Sequence, residues 1–137
     1  MFPARLTDYG AFSDASSSVG IAIIIGGQWR AWRLLPGWQS CNGEKDIQWA
    51  EAVGFELLTL TLTRGSAAGT NFRVFEDNWG VVEGWQNFRS RNTAVNNVFK
   101  HILDHLKSYG SIKCVYPSYI RSGDNPADAP SRAQYPN

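Results

Sequence analysis

An aspartate stands where the pattern of the first strand calls for a core residue. In the stretch Phe12-Ser13-Asp14-Ala15-Ser16-Ser17-Ser18-Val19-Gly20-Ile21-Ala22-Ile23-Ile24-Ile25, the chain enters strand material, turns on serines and leaves along an apolar run. Charged side chains are almost never fully buried unless they are paired or bind a metal. A fold that buries these strands must therefore give Asp14 a partner.

The rest of the chain supplies the elements for such a fold. Strands are expected over 9–15, 19–25 and 28–35, the last two joined by Gly26-Gly27 as a two-residue hairpin. Residues 36–45 read as loop from their Pro, Gly, Ser and Asn content. Asp46 is placed to cap a helix running to about Thr63, which Gly65 helps to stop. Asn71–Asp77 predicts a short strand with large apolar residues on both faces, which suits a doubly covered position. Residues 78–88 predict a short helix. Asn92 or Thr93 opens the clearest helix, with Val95, Phe99, Ile102, Leu103 and Leu106 on one face and Lys100, His101, Asp104, His105 and Lys107 opposite. A last strand over 111–120 and a helical turn over 127–132 complete the order β-β-β-α-β-α-α-β-α. This order describes an α/β domain, a five-stranded mixed sheet with helices on both faces, and parallel pairing is expected where a helix intervenes between strands.

At 137 residues the chain suits one domain with one core. Thirteen basic against twelve acidic residues leave a net charge of +1, so any nucleic-acid surface must be local. No stretch approaches the roughly 20 apolar residues of a membrane span, and the start lacks the apolar run of a signal peptide. Cys41 and Cys114 form no Cys-x-x-Cys pair, which argues against structural zinc and for two reduced thiols in an intracellular protein.

With so few acids, their positions carry weight. Asp8, Glu44, Asp104 and Asp124 fall in polar loops or on the polar helix face, and Asp46 is a cap. Glu56 lies with Ala52, Thr59 and Thr63 on the more polar stripe of its helix and reads as solvated. Four acids resist such readings. Asp14 lies in a strand, and Glu51 falls on the stripe Ile47, Gly54, Phe55, Leu58 and Leu62, which should face the core. Asp77 closes an apolar strand at its carboxyl end, where open α/β sheets place their sites. Asp128 follows the last strand in Asn125-Pro126-Ala127-Asp128-Ala129. Each alone has an ordinary explanation as a cap, a turn residue or a drifting helix position. If the strands of Asp14 and Asp77 are neighbours, the four can meet. Carboxylates that close repel, and a divalent cation removes the penalty. An oxygen-only ligand set suits magnesium or manganese.

In the words FSDASSSVGIAI, QWAEAVGFELL, VFEDNWGVV and SGDNPADAPSR, taken in order over about Asp8 to Arg132, the chain resembles the ribonuclease H domain of reverse transcriptases, particularly those of LTR- and DIRS-like retrotransposons. The resemblance implies a ribonuclease H-like fold and a metal-dependent endonuclease that cuts the RNA strand of RNA–DNA hybrids, leaving 5′-phosphate and 3′-hydroxyl ends. It implies Asp14, Glu51, Asp77 and Asp128 as catalytic ligands of two Mg2+ ions, with Mn2+ able to substitute, roughly 3.5–4 Å apart across the scissile phosphate. Asp14 would be the bridging ligand, and Glu51 would approach the ribose 2′-hydroxyl that distinguishes RNA from DNA. Gln48 and Asn78 match substrate-contacting positions, and Arg89 and Arg91 are placed to grip phosphates of the DNA strand. A polymerase domain in the same polyprotein is the implied partner, in cytoplasm, nucleus or virus-like particles.

The chain departs from the pattern twice. Residues 84–93 leave no room for the extra basic helix that cellular relatives use as a substrate handle. No histidine stands in Tyr119-Ile120-Arg121-Ser122-Gly123, before the last aspartate, and His101 and His105 lie on the polar helix face. Weak hybrid affinity and modest turnover of the isolated domain are expected. The rival readings are a non-catalytic domain of the same fold that binds nucleic acid or spaces other domains, an integrase-like strand-transfer core, and a plain interaction module. The last would use the six tryptophans as core or binding surface, and most of them are expected in the core.

Overall fold

The computed structural model describes residues 5–39, 45–67, 69–109 and 114–136. Cys41, Glu44, the end of the 36–45 loop and positions 111–113 of the expected last strand lie outside the described residues.

Every expected element is present. Strands β1 (Thr7–Ala15), β2 (Gly20–Ile25) and β3 (Gln28–Arg33) precede helix α1 (Ile47–Arg64). Strand β4 (Phe72–Glu76), helices α2 (Trp79–Asn87) and α3 (Thr93–Tyr109), strand β5 (Val115–Tyr119) and a short α4 (Asp128–Ser131) follow. Local chemistry explains the boundaries. Gly26 and Gly27 both take positive φ, as a tight hairpin between right-twisted strands demands. Asp46 caps α1 by accepting from the backbone N–H of Gln48 at 2.9 Å and of Trp49 at 3.2 Å.

The strand order is β3-β2-β1-β4-β5. The β1–β2 and β2–β3 pairs are antiparallel, while β1–β4 and β4–β5 are parallel, each parallel pair joined through helix. This is the ribonuclease H-like arrangement of a mixed five-stranded sheet with packed helices. Alternation along β1 sends Ala11, Ser13 and Ala15 to one face and Phe12 and Asp14 to the other. On the first face Phe55, Leu58 and Leu62 of α1, Val81 and Trp85 of α2, and Val95, Phe99 and Ile102 of α3 close over Ala11, Ile23, Phe72, Val74 and Val115. On the second face Ala127, just before α4, packs on Ala22 and Ile24.

Three expectations are corrected. Covering of β4 is lopsided: Phe72 and Val74 are buried, but Arg73 is exposed and Phe75 half-buried. The four-residue α4 packs on β1, β2 and β3, so Phe75 is sheltered instead by Phe12, stacked at 5.0 Å, and by the Arg73 guanidinium over its ring. The second correction concerns the polar stripe of α1, which lies against α3. Ala52, Thr59 and Thr63 are buried there because each threonine returns its hydroxyl to a carbonyl one turn earlier. Thr63 Oγ1 also meets His105 Nε2 at 2.7 Å, and Glu56 faces His101 at 4.0 Å, so neither Glu56 nor His105 is simply solvated. Burial raises the Glu56 pKa, partly offset by His101. The third concerns how deeply the tryptophans sit: Trp85 is fully buried, Trp32, Trp38 and Trp49 pack half-buried against the core, and Trp29 and Trp79 are exposed. Among the described residues no helix is long and apolar enough to cross a membrane.

Gly54 sets how closely α1 approaches the sheet. A Cβ there would lie 3.2 Å from Ile21 Cγ2 and 3.6 Å from Ser13 Cβ. Gly54→Val should push α1 outward and destabilise the domain by about 1–3 kcal/mol, measured by urea unfolding.

Candidate metal centre

Parallel pairing of β1 with β4, with Phe12 opposite Phe75, brings the carboxyl ends of both strands to one edge of the sheet. Asp14 stands near the end of β1 and Asp77 immediately after β4. Helix α1, drawn close by Gly54, delivers Glu51 from one turn earlier. One oxygen from each of Asp14, Glu51 and Asp77 lies within 4.8 Å of the others, close enough to hold a metal ion. Three acids distant in sequence thus converge as their burial pattern suggested.

Hydrogen bonds orient them. The Ala15 N–H donates to Asp14 Oδ1 at 2.8 Å and to Glu51 Oε1 at 3.1 Å, tying two of the acids to one backbone group. Asn125 is buried and donates through Nδ2 to the Ser13 carbonyl at 2.9 Å and to Asp77 Oδ2 at 3.3 Å. Its own Oδ1 caps the Ala127 N–H at 3.0 Å. Ser16 donates to the Ser131 carbonyl at 2.8 Å, so the final segment is pinned beside the cluster.

The electrostatics are those of carboxyls drawn out of water beside one another. Among the described residues, the ion pairs of lysine and arginine lie elsewhere. Loss of water pushes the Asp14 carboxyl up to about 9, with the charges of Glu51 and Asp77 adding to it. Burial lifts Glu51 to about 10, helped by Glu76. Asp77 is raised by burial, opposed by its bond from Asn125 and reinforced by the charge of Asp128. Glu51 Oε2 is buried with no hydrogen-bond partner. An all-oxygen donor set with an unsatisfied buried carboxylate oxygen fits a hard divalent cation.

Asp128 does not join the three converging oxygens. It sits at the start of α4, half-exposed, and its Oδ1 accepts from Arg132 Nε at 3.2 Å. An acid that sequence reading passed over lies closer to Glu51. Glu76 is completely buried, its Oε2 accepting from Ser13 Oγ at 2.8 Å and its Oε1 without a partner. Burial raises its pKa to about 8, against the lowering effect of the neighbouring Glu51 carboxyl and of the Ser13 hydroxyl. The signal was available, because alternation through Phe72-Arg73-Val74-Phe75-Glu76 puts Glu76 on the core face with Phe72 and Val74.

A groove of about 860 Å³ is lined by Gln48, Gly80, Glu83, Arg89, Arg91 and neighbouring residues, and none of the three converging acids lines it. A Cβ at Gly80 would collide with the Gln48 amide, so a larger residue there would displace that side chain. Arg89 and Arg91 are both exposed. Asn78 has a structural role as well, its Oδ1 capping α2 by accepting from the Val81 N–H at 3.1 Å. Beyond Asn78, Trp79 stacks on Tyr119 at 4.3 Å with both rings exposed. Comparison with known proteins finds no family model and no curated protein that matches the chain.

The raised carboxyls set a direction for pH dependence. Their folded-state pKa values, about 9 for Asp14 and about 10 for Glu51, lie above the ordinary values near 4. The folded state therefore holds protons that the unfolded chain has lost, and stability falls as pH rises through that window. Melts in chelator should drop steadily from pH 5 to pH 9. Asp14→Asn should flatten the slope and raise the melting temperature at pH 8.

Proposed function

We propose that the chain is a metal-dependent endonuclease of ribonuclease H type, hydrolysing the RNA strand of RNA–DNA hybrids during reverse transcription of a retroelement. The observation that carries this reading is the convergence of Asp14, Glu51 and Asp77 at the carboxyl edge of a ribonuclease H-like sheet, with no ion pair to lysine or arginine among the described residues. Magnesium is the proposed ion, because hard oxygen ligands with water and phosphate complete its preferred shell.

Bound ions would supply an activated water and neutralise the leaving oxygen of an in-line displacement. The residues of the chain do the rest. Asp14, whose carboxyl feels both Glu51 and Asp77, is the shared ligand. Glu51 and Asp77 hold the flanks, Glu51 through the Ala15 N–H and Asp77 through Asn125. Asp128 is near enough to influence Asp77 and would join by exchanging Arg132 for the ion. Gln48 in the groove offers an amide to the hybrid, and Glu51 favours a ribose 2′-hydroxyl. Arg89 and Arg91 offer charge to phosphates of the DNA strand. A polymerase domain of the same polyprotein is the proposed source of additional grip, within the cell or a virus-like particle.

The engagement of Asp128 by Arg132 favours a second reading, a catalytically weak domain that binds nucleic acid or spaces its neighbours. Cleavage of a labelled hybrid with Mg2+ or Mn2+, beside duplex DNA, decides between them. Cutting of the RNA strand alone, leaving 5′-phosphates, is expected. Asp14→Asn, Glu51→Gln and Asp77→Asn should each lose more than about 100-fold, beyond the loss typical of outer-sphere partners. A wild-type chain that binds the hybrid and leaves it intact would establish the second reading. Replacing Arg89 or Arg91 by Ala should reduce the slope of log affinity against log salt by about 0.9 for each phosphate that the variant no longer neutralises.

A further inference from the structure

We propose that Trp79 and Tyr119 form a stacking platform for an unpaired nucleobase, so that the preferred substrate is a hybrid with a single-stranded extension beside its paired part. The inference deepens the nucleic-acid reading given above and rests on it.

Among the described residues two stacked aromatic pairs have both rings exposed. Trp29 of β3 lies against Tyr135 at 4.9 Å. Trp79, the first residue of α2, lies against Tyr119, the last residue of β5, at 4.3 Å with the ring planes 8° apart. The strand order β3-β2-β1-β4-β5 places the two pairs at opposite sides of the sheet. Contact with Tyr119 leaves Trp79 55% exposed, and Tyr119 itself stays 39% exposed. Mutual contact therefore does not shelter the indole. Exposed apolar surface gains from being covered, and stacked rings gain beyond the area they bury.

Position selects the occupant. Trp79 follows Asp77 by two residues, and Tyr119 stands opposite Glu76 in the β4–β5 register. The Ile120 N–H fixes that end of β5 by donating to the Glu76 carbonyl at 3.0 Å. The platform thus lies at the carboxyl edge of the sheet, the edge that carries Asp14 and Asp77. On the other flank, Gly80 leads from Trp79 into the groove of Gln48, Arg89 and Arg91. Both arginines are exposed, and of the acids in the groove Asp46 has an oxygen committed to the cap of α1. Basic side chains in a groove beside an aromatic platform suit single-stranded nucleic acid, because the charges follow the backbone and the rings take the bases. A neutral sugar would use the platform alone. Within a duplex the bases stack on one another and offer no free face. Only an unpaired base at a strand end or junction can lie on Trp79.

The test uses the full chain in chelator, so that cleavage plays no part. RNA–DNA hybrids carry one unpaired 2-aminopurine nucleotide at each strand end in turn, and matched hybrids carry an abasic residue there. For at least one placement, binding should quench the 2-aminopurine fluorescence, and affinity should exceed that of the abasic hybrid about 5–100-fold. Trp79→Leu, which keeps apolar bulk without a ring, should remove that difference, and Trp79→Phe should retain part of it. Trp29→Ala should leave it intact. Absence of quenching by the wild-type chain at every strand end overturns the platform, and this readout requires no variant to fold. A preference that survives Trp79→Leu, or that Trp29→Ala abolishes equally, also overturns it. A chain that binds the abasic hybrids as tightly as the aminopurine ones overturns the platform and leaves the nuclease reading standing. A chain that binds no hybrid overturns the nucleic-acid reading, and the platform with it.

Discussion

The parallel pairing of β1 with β4 underlies the whole arrangement. Both strands run toward the same edge, so acids at the ends of segments far apart in the chain become neighbours. An antiparallel pairing would have sent Asp14 and Asp77 to opposite edges. The parallel pairing requires a long crossover, and α1 lies within it, so the same connection that permits the pairing also carries Glu51 to the site. Gly54 lets that helix lie close enough for Glu51 to reach the Ala15 N–H.

The cost of the arrangement is electrostatic. Carboxyls withdrawn from water, with no ion pair to lysine or arginine among the described residues, hold their protons far above the usual range. Among the described residues the ion pairs of lysine and arginine, such as Arg121–Asp124 and Lys107–Asp104, lie on the surface, where solvent screens them and their contribution is small. The buried acids follow a different logic. Their hydrogen bonds come from backbone, Ser13 and Asn125, donors that orient a carboxylate without neutralising it. Such a pocket is oriented for positive charge, which is the physical content of the proposed metal-dependent chemistry.

Much of this was legible in the sequence. The two-residue hairpin, the Asp46 cap and the long α3 follow from interactions within a few residues, where glycine conformation, side-chain capping and apolar periodicity act directly. Glu51 could be singled out because a helix repeats every 3.6 residues and its stripe was otherwise apolar. Glu76 obeyed the corresponding rule for strands, yet it stands beside Asp77, whose place at the strand end is the more conspicuous. The stripe of Ala52, Thr59 and Thr63 misled for a different reason. Threonine looks polar in a sequence, but it can satisfy its hydroxyl within its own helix and then pack like valine.

The sequence by itself determined which segments are strands and helices, where they stop, and that several acids lie on faces meant for the core. Those properties depend on neighbours along the chain. Only the tertiary structure decided which acids meet, because strand order and helix crossing bring together groups that share no local pattern. It set Glu76 against Ser13 beside Glu51 and joined His105 to Thr63 between two helices. Each of those meetings depends on the side chain standing across a face, and that side chain is chosen by the long-range packing of strands and helices.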